Sequence, residues 1–360
     1  MSEFIYTTYL WLIPSLVLLF ALLFDLTLGD PELKYHPVQL IGRTINWLKK
    51  HLLTGKKTID RINGFFLIIL PFLLFGTLLY LIQIILWSIL PFQYFQGNFL
   101  FNLIFISFYC AINGFILKWS FAIKYLGTTT IPICQALKEK DLEFARKKLS
   151  YIVRRNTQQL SENYVISASV EVIAESSTDS AISVIWFYLF SNLVGTLIYL
   201  YIYHNYLWLF LGIPCAYLFR IINTGDSIVG YKDTENINIG FASAKLDDFS
   251  NFLPTRITVL FMFLVGKFYH LDIKNGWKIL KEHRNITESI NAGWTMSAIA
   301  GLLNVELEKQ NHYKLGVKNR ELIPEDIILS YKLIKNTILL FSFTFLLIIS
   351  TVITLLQLIF

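Results

Sequence analysis

Glu171, Glu175 and Asp179 recur every fourth residue. On a helix they fall on one face, and like charges at that spacing repel by roughly 0.2–0.5 kcal/mol per pair. Two readings stand. The three form a solvated acidic face, or they mark a place where a cation such as Mg²⁺ cancels the repulsion, since Mg²⁺ favours a few carboxylates together with phosphate oxygens. A denser group follows: Asn223, Asp226, Lys245, Asp247, Asp248, Asn251 and Arg256 lie within 34 residues flanked by apolar runs. Charges at membrane depth are costly and usually mark function. The alternative is a structural ion-pair set, for example Asp226 with Arg220. Two further clusters carry the chemistry-bearing types. One is Asp25-Leu-Thr-Leu-Gly29-Asp30-Pro31, followed by His36-Pro37 and Gly42-Arg43; the other is Asn291-Ala-Gly-Trp294.

Several reaction classes lose their signature. There is no GxxxxGK[ST] phosphate loop, no GxGxxG and no HExxH. The six His residues are scattered without metal-ligand spacing, and no nucleophile motif appears around a Ser or Cys. Cys110, Cys134 and Cys215 form no CxxC pair and read as packing residues.

The elements that must position these groups are membrane helices. The chain has 360 residues, 55% hydrophobic and only 16% charged, with 30 Phe and 19 Tyr. Its mean hydropathy is +0.54. A soluble domain is roughly a quarter charged, and disorder needs the opposite composition. Six stretches approach the ~20 apolar residues a spanning helix needs: 9–24, 65–90, 99–117, 181–203, 206–222 and 337–360. Four polar loops separate them: 25–64, 118–180, 223–248 and 267–336. They hold seven, nine, two and eleven Lys or Arg residues, whereas the connections 91–98 and 204–205 hold none. The positive-inside rule places the four loops in the cytoplasm. It also assigns the net charge of +6 to membrane orientation rather than to nucleic acid. Parity then requires 249–266, with Asn251, Pro254 and Arg256, to be re-entrant or interfacial. Within the loops, 141–151, a segment running from Ser161 to about Ser176, and 292–303 read as helices, and no alternating strand pattern appears. The expected fold is all-α: a polytopic protein of the cell membrane with about six spanning helices, one re-entrant or interfacial helix and a helical cytoplasmic layer.

The motifs resemble those of the CobD/CbiB family of cobalamin biosynthesis. The resemblance rests on D-L-T-L-G-D-P at 25–31, H-P-V at 36–38, I-G-R at 41–43, L-G-T-T-T at 126–130 and V-E-V-I-A-E at 170–175 with Asp179. It continues with R-I-I-N-T-G-D-S-I-V-G-Y at 220–231, K-L-D-D-F-S-N-F-L-P-T-R at 245–256 and N-A-G-W at 291–294. Order and spacing fit from Asp25 to Trp294. The chain departs from the family pattern where E-S-S-T-D-S stands at 175–180, where Arg154-Arg155-Asn156-Thr157 stands, and where Ile290 and Thr295 replace prolines.

The resemblance implies an adenosylcobinamide-phosphate synthase, a ligase that joins an amino alcohol or its phosphate to a propionate arm of adenosylcobyric acid, driven by ATP and Mg²⁺. It implies Mg²⁺ at Glu175, Asp179, Asp247 and Asp248. Phosphate groups would face Arg43, Lys245 and Arg256, with Asn223, Asn251, Asn291 and Trp294 also binding. His36 or Glu171 would act as base, and Asp226 and Lys245 would join the catalytic set. Membrane lipid is the remaining partner, and a homo-oligomer is left open. Two rivals are a transporter for a corrinoid or cation, which would also place charges at broken helices, and a non-catalytic AmpE-like membrane sensor.

Overall fold

The computed structural model describes residues 12–31, 35–89 and 99–359. The expected start of the first span at 9–11, the connection 91–98 and the final Phe360 lie outside these. Helices dominate. In chain order they are α1 (Leu12–Leu28), α2 (Pro37–Leu52), α3 (Lys57–Pro71), α4 (Thr77–Ile89), α5 (Phe99–Lys118), α6 (Ile123–Lys138), α7 (Leu142–Ser150), α8 (Glu162–Ser177), α9 (Ser183–Ile198), α10 (Gly212–Val229), α11 (Asn236–Ile239), α12 (Phe241–Phe268), α13 (Ile273–His283), α14 (Ala292–Leu303) and α15 (Glu325–Ile359). Among the described residues, five helical stretches are long and apolar enough to cross a membrane: 57–89, 101–118, 162–203, 241–268 and 325–356. The chain is a polytopic helical membrane protein.

The chain forms two compact units. The first takes residues 1–122, 184–247 and 343–360, the second 123–183 and 248–342. In the first unit α3 and α4 make one continuous stretch through a π-helical turn, Phe72–Gly76, directly after Pro71. Proline has no N–H to donate and crowds the preceding turn, and a wider turn absorbs that defect. A side chain at Gly76 would meet the Phe72 ring at 2.7 Å, so only Gly lets that ring lie across the turn. Beyond it, the Tyr80 hydroxyl donates to the Leu207 carbonyl at 3.0 Å and Gln83 Nε2 to the Phe210 carbonyl at 3.1 Å.

The link between α1 and α2 is built by three polar side chains. His36 caps α2: its Nδ1 accepts from the Val38 N–H at 3.2 Å, with Pro37 at the first helical position. That assignment leaves the Nε2–H to donate to Asp30 Oδ1 at 2.9 Å. Lys118, at the end of α5, is fully buried; its Nζ lies 3.4 Å from the same oxygen and 3.5 Å from the centre of the Trp119 ring. The buried cation is thus offset by one carboxylate and one aromatic face.

In the second unit, Asp141 caps α7 by accepting from the Phe144 N–H at 2.9 Å, worth about 1 kcal/mol. α14 is made of small and apolar residues, all buried except Trp294. A hairpin follows it, β1 (Glu306–Lys309) and β2 (Tyr313–Gly316), antiparallel with Glu306 opposite Gly316. It packs on α8, where the Glu308 N–H donates to Ser167 Oγ at 2.8 Å.

Four sequence expectations are corrected. The stretch 206–222 is a short 3₁₀ turn at Tyr206–Phe210 followed by α10, which begins at Gly212 and carries Arg220 and Asp226 on to Val229. The supposed loop 223–248 is mostly helix, with residues 230–240 between α10 and α12. As expected, 118–180 is helical for most of its length, and α8 runs into α9 through a second π-turn, Thr178–Ile182. The hairpin at 306–316 escaped the search for alternation because its strands have four residues each. The segment 249–266 belongs to one uninterrupted 28-residue helix, α12, with Pro254 inside it. By length it reaches across a bilayer; yet 61% of its most apolar window is buried in protein, against 22% for 57–89 and for 325–356.

Two outcomes follow. Burial works to raise the Asp30 carboxyl, and the hydrogen bond and charge of His36, with Lys118, more than offset it, so its pKa lies below the ordinary value. The stability it contributes is therefore complete above about pH 4 and is lost as pH falls through the folded-state value. Asp30→Asn should lower the melting temperature at pH 7, with the gap to wild type closing below about pH 4; a gap constant from pH 7 to 3 would refute the linkage. For α12, single cysteines replacing exposed Thr234 and Asn311 should label with an impermeant reagent from one side, and one replacing Asn205 from the other. Labelling of positions 234 and 311 from opposite sides would make α12 a true span.

Candidate functional site

The sequence-predicted residues divide between the two units. In the first, a buried relay orders Asp247. Arg220 is buried on α10; its Nε donates to the Ser120 carbonyl at 2.7 Å and its Nη1 to Asn223 Oδ1 at 3.2 Å. Asn223 Nδ2 then donates to Asp247 Oδ1 at 3.2 Å. Both ends of the Asn223 amide are used, so it orients the carboxylate on α12. Asp226 lies about one turn beyond Asn223 on α10 and is half-exposed; Lys245 and Arg43 are exposed on α12 and α2. His36 has both ring nitrogens engaged, as the fold of α1 and α2 requires.

In the second unit Glu171 is the buried centre of a four-residue set. Its Oε1 accepts from Ser167 Oγ at 2.7 Å. Its Oε2 accepts from the Tyr313 hydroxyl at 3.1 Å and from Arg155 Nη2 at 3.3 Å. Burial, with the charges of Glu171 and Glu175, pushes the Tyr313 phenol well up; at neutral pH it is a donor. Glu171 therefore fastens the hairpin and the 150s segment to α8. Glu175 is exposed one turn on, and Asp179 is half-exposed inside the π-turn, which breaks the four-residue spacing that would align all three carboxylates.

The second unit also joins two motifs distant in sequence. Asn291, at the start of α14, donates through Nδ2 to the Asp248 carbonyl at 2.9 Å and accepts through Oδ1 from Arg256 Nη1. Asp248, Phe252 and Arg256 are spaced four apart on α12 and share a face, with Asp248 about 12 Å along the axis from Arg256. The Arg256 guanidinium lies 4.6 Å from the centre of the Trp294 ring. Asn251, by contrast, is buried and accepts from Ser183 Oγ at 2.5 Å, a structural link.

Among the described residues, no group of three or more His, Cys, Asp or Glu side chains could hold a metal ion. Single half-exposed carboxylates stand at Asp247 in the first unit and at Asp248 in the second. That fits Mg²⁺ carried on phosphate oxygens and does not fit an all-protein cage. Sequence reasoning missed Lys118, Arg155, Tyr313 and Arg284 as site-building residues. Two had a signal: Lys118 is a lone cation closing an apolar run beside Trp119, and Arg155 stands in a motif that departs from the family pattern. A cavity of about 40 Å³ in the first unit, lined by uncharged residues including Tyr109, Asn113, Tyr188 and Asn192, holds none of the predicted site residues.

The family model described as CobD/Cbib protein matches residues 18–341. The probable cobalamin biosynthesis protein CobD of Methanothermobacter thermautotrophicus is 33% identical over 326 residues, covering 91% of this chain and 95% of that one. The probable cobalamin biosynthesis protein CobD of Methanococcus maripaludis strain C7 is 33% identical over 327 residues, 90% and 95%. The cobalamin biosynthesis protein CobD of Dehalococcoides mccartyi is 29% identical over 321 residues, 89% and 92%. No solved structure matches the chain. A match that runs from α1 into α15, and takes in every motif described above, places this chain in the CobD/CbiB family.

Proposed function

We propose that the protein acts in cobalamin biosynthesis as an ATP-dependent amide ligase. It joins an amino alcohol, or its phosphate, to the propionate arm of adenosylcobyric acid. The observation that carries this reading is the tie between two motifs: Asn291 holds both the Asp248 carbonyl and the Arg256 guanidinium. The α12 backbone at Asp248 and the Arg256 guanidinium are thereby tied to the start of α14, and a carboxylate and a guanidinium on one helix face are the residue types that a metal-bearing phosphate needs.

A carboxylate does not acylate an amine unaided. Its oxygen attacks the γ-phosphorus of ATP and ADP leaves. The amine nitrogen then attacks the acyl carbon, inorganic phosphate leaves, and the ammonium proton passes to a base. Mg²⁺, when bound with the nucleotide, supplies charge neutralisation at the phosphates. Toward Mg²⁺ and phosphate the second unit would offer Asp248, Glu175, Asp179, Arg256 and the Trp294 face, and the first unit would offer Asp247, Lys245 and Arg43. His36 and Glu171 are each engaged by protein partners, and half-exposed Asp226 stays in the proposed catalytic set. The activity is proposed at the cell membrane with the polar segments in the cytoplasm.

The experiment is mass spectrometry of products from the purified protein given adenosylcobyric acid, ATP, Mg²⁺ and each candidate amine, free or phosphorylated. An amide product with ADP release is expected. Asp247→Asn and Asp248→Asn should each keep the melting temperature and lose turnover by about 10²-fold or more, the scale of a lost charge stabiliser. Full turnover in both variants would remove the acidic assignment. Substrate uptake by vesicles without product would favour a transporter.

A further inference from the structure

Two guanidinium groups in the second unit converge on one indole. Arg256 lies 4.6 Å and Arg284 lies 5.0 Å from the centre of the Trp294 ring. The donors of Arg256 meet only neutral oxygens: the Phe252 carbonyl at 2.9 Å, the Ile290 carbonyl at 3.2 Å and Asn291 Oδ1. Arg284 has five N–H donors, and among the described residues its guanidinium meets the indole and no carboxylate. Two like charges sharing one aromatic ring cost energy that an anion would remove. Stacking occupies the planar faces of a guanidinium and leaves its N–H edge free to fork onto oxygens.

The placement of Arg284 is built in. It caps the end of α13, where its N–H donates to the Leu280 carbonyl at 3.1 Å. A Cβ on Gly293 would sit 2.3 Å from the Arg284 carbonyl oxygen and 2.6 Å from Thr287 Oγ1. Only glycine at the second position of α14 lets the 284–287 backbone lie against the residue before Trp294. The motif Asn-Ala-Gly-Trp thus does two jobs: Asn291 holds Arg256, and Gly293 admits Arg284.

We propose that Arg284 and Arg256 form a phosphoryl-binding clamp on Trp294, in which Arg284 supplies the uncommitted fork. The clamp takes a phosphate ester or phosphoanhydride, from the nucleotide or from a phosphorylated amine. Which of the two it takes rests on the ligase reading; the binding itself does not.

The test uses the full-length protein in detergent and three phosphoryl probes, pyrophosphate, ATP and aminopropanol phosphate, with unphosphorylated aminopropanol as control. Dissociation constants are measured for wild type, Arg284→Gln and Arg284→Lys. At least one phosphoryl probe should bind wild type. Arg284→Gln should weaken that probe by tenfold or more, and Arg284→Lys, which keeps the charge and loses the fork, should weaken it less. The control should not change. Loss confined to ATP and pyrophosphate assigns the clamp to the nucleotide; loss confined to aminopropanol phosphate assigns it to the amine. A readout on the unmutated chain covers the case of misfolded variants: pyrophosphate should protect Arg284 from phenylglyoxal, scored by peptide mass spectrometry. Equal binding in all three proteins, or binding by none with no protection of Arg284, overturns the clamp. Protection of Arg284 in a protein that makes no amide would keep the clamp and remove the ligase.

Discussion

Backbone polar groups cannot be left unpaired where water is absent, and that constraint shapes the rest of this molecule. It forbids open loops at membrane depth, so the polar motifs ride on helices. Asn223 and Asp226 sit on α10, and Lys245 through Arg256 on α12. Charges that cannot reach solvent are met by protein instead. Lys118 is held by Asp30 and the Trp119 ring, Arg220 by the Ser120 carbonyl and Asn223. Each such pairing also fixes a helix end. The chemistry and the architecture are therefore built from the same side chains.

This explains why some expected roles moved. Asn223, His36 and Glu171 carry the residue types that a binding or catalytic site uses, yet their polar atoms are committed to protein partners. They orient other groups: Asp247, the start of α2, and the hairpin. Asp248, Arg256 and Trp294 are tied together by Asn291, at the start of α14, which binds the Asp248 backbone carbonyl and the Arg256 guanidinium. The general lesson is that residue type signals a costly position, while geometry decides whether the cost is met by a ligand or by a neighbour.

Much of the fold was legible in the sequence where one local signal dominated. The helical spacing of Leu142, Ala145 and Leu149 gives α7, and the apolar run after Asn291 gives α14 with its bounds. Legibility failed where hydropathy and helix length part company. At 206–222 the apolar run contains a turn, and the helix continues through charged residues to Val229. Around 249–266 the apolar run does not mark the helix, because α12 runs back to Phe241 through two aspartates. Arg284 and Tyr313 were invisible because their partners, Trp294 and Glu171, are tertiary neighbours with no shared period.

The π-turn after Pro71 sets the phase of everything beyond it. Tyr80, Gln83 and Trp87 follow the three–four rhythm of one helical stripe, and Tyr80 and Gln83 meet consecutive parts of the 206–210 turn while Trp87 packs on Phe210. One residue more or fewer in that turn would rotate the stripe by about 100°, pointing its donors away from the carbonyls they cap. The segment from Leu67 to Trp87 thus behaves as a vernier whose length is fixed while its outward side chains are not. Among relatives, substitutions on its lipid-facing side should be common and insertions or deletions within it absent.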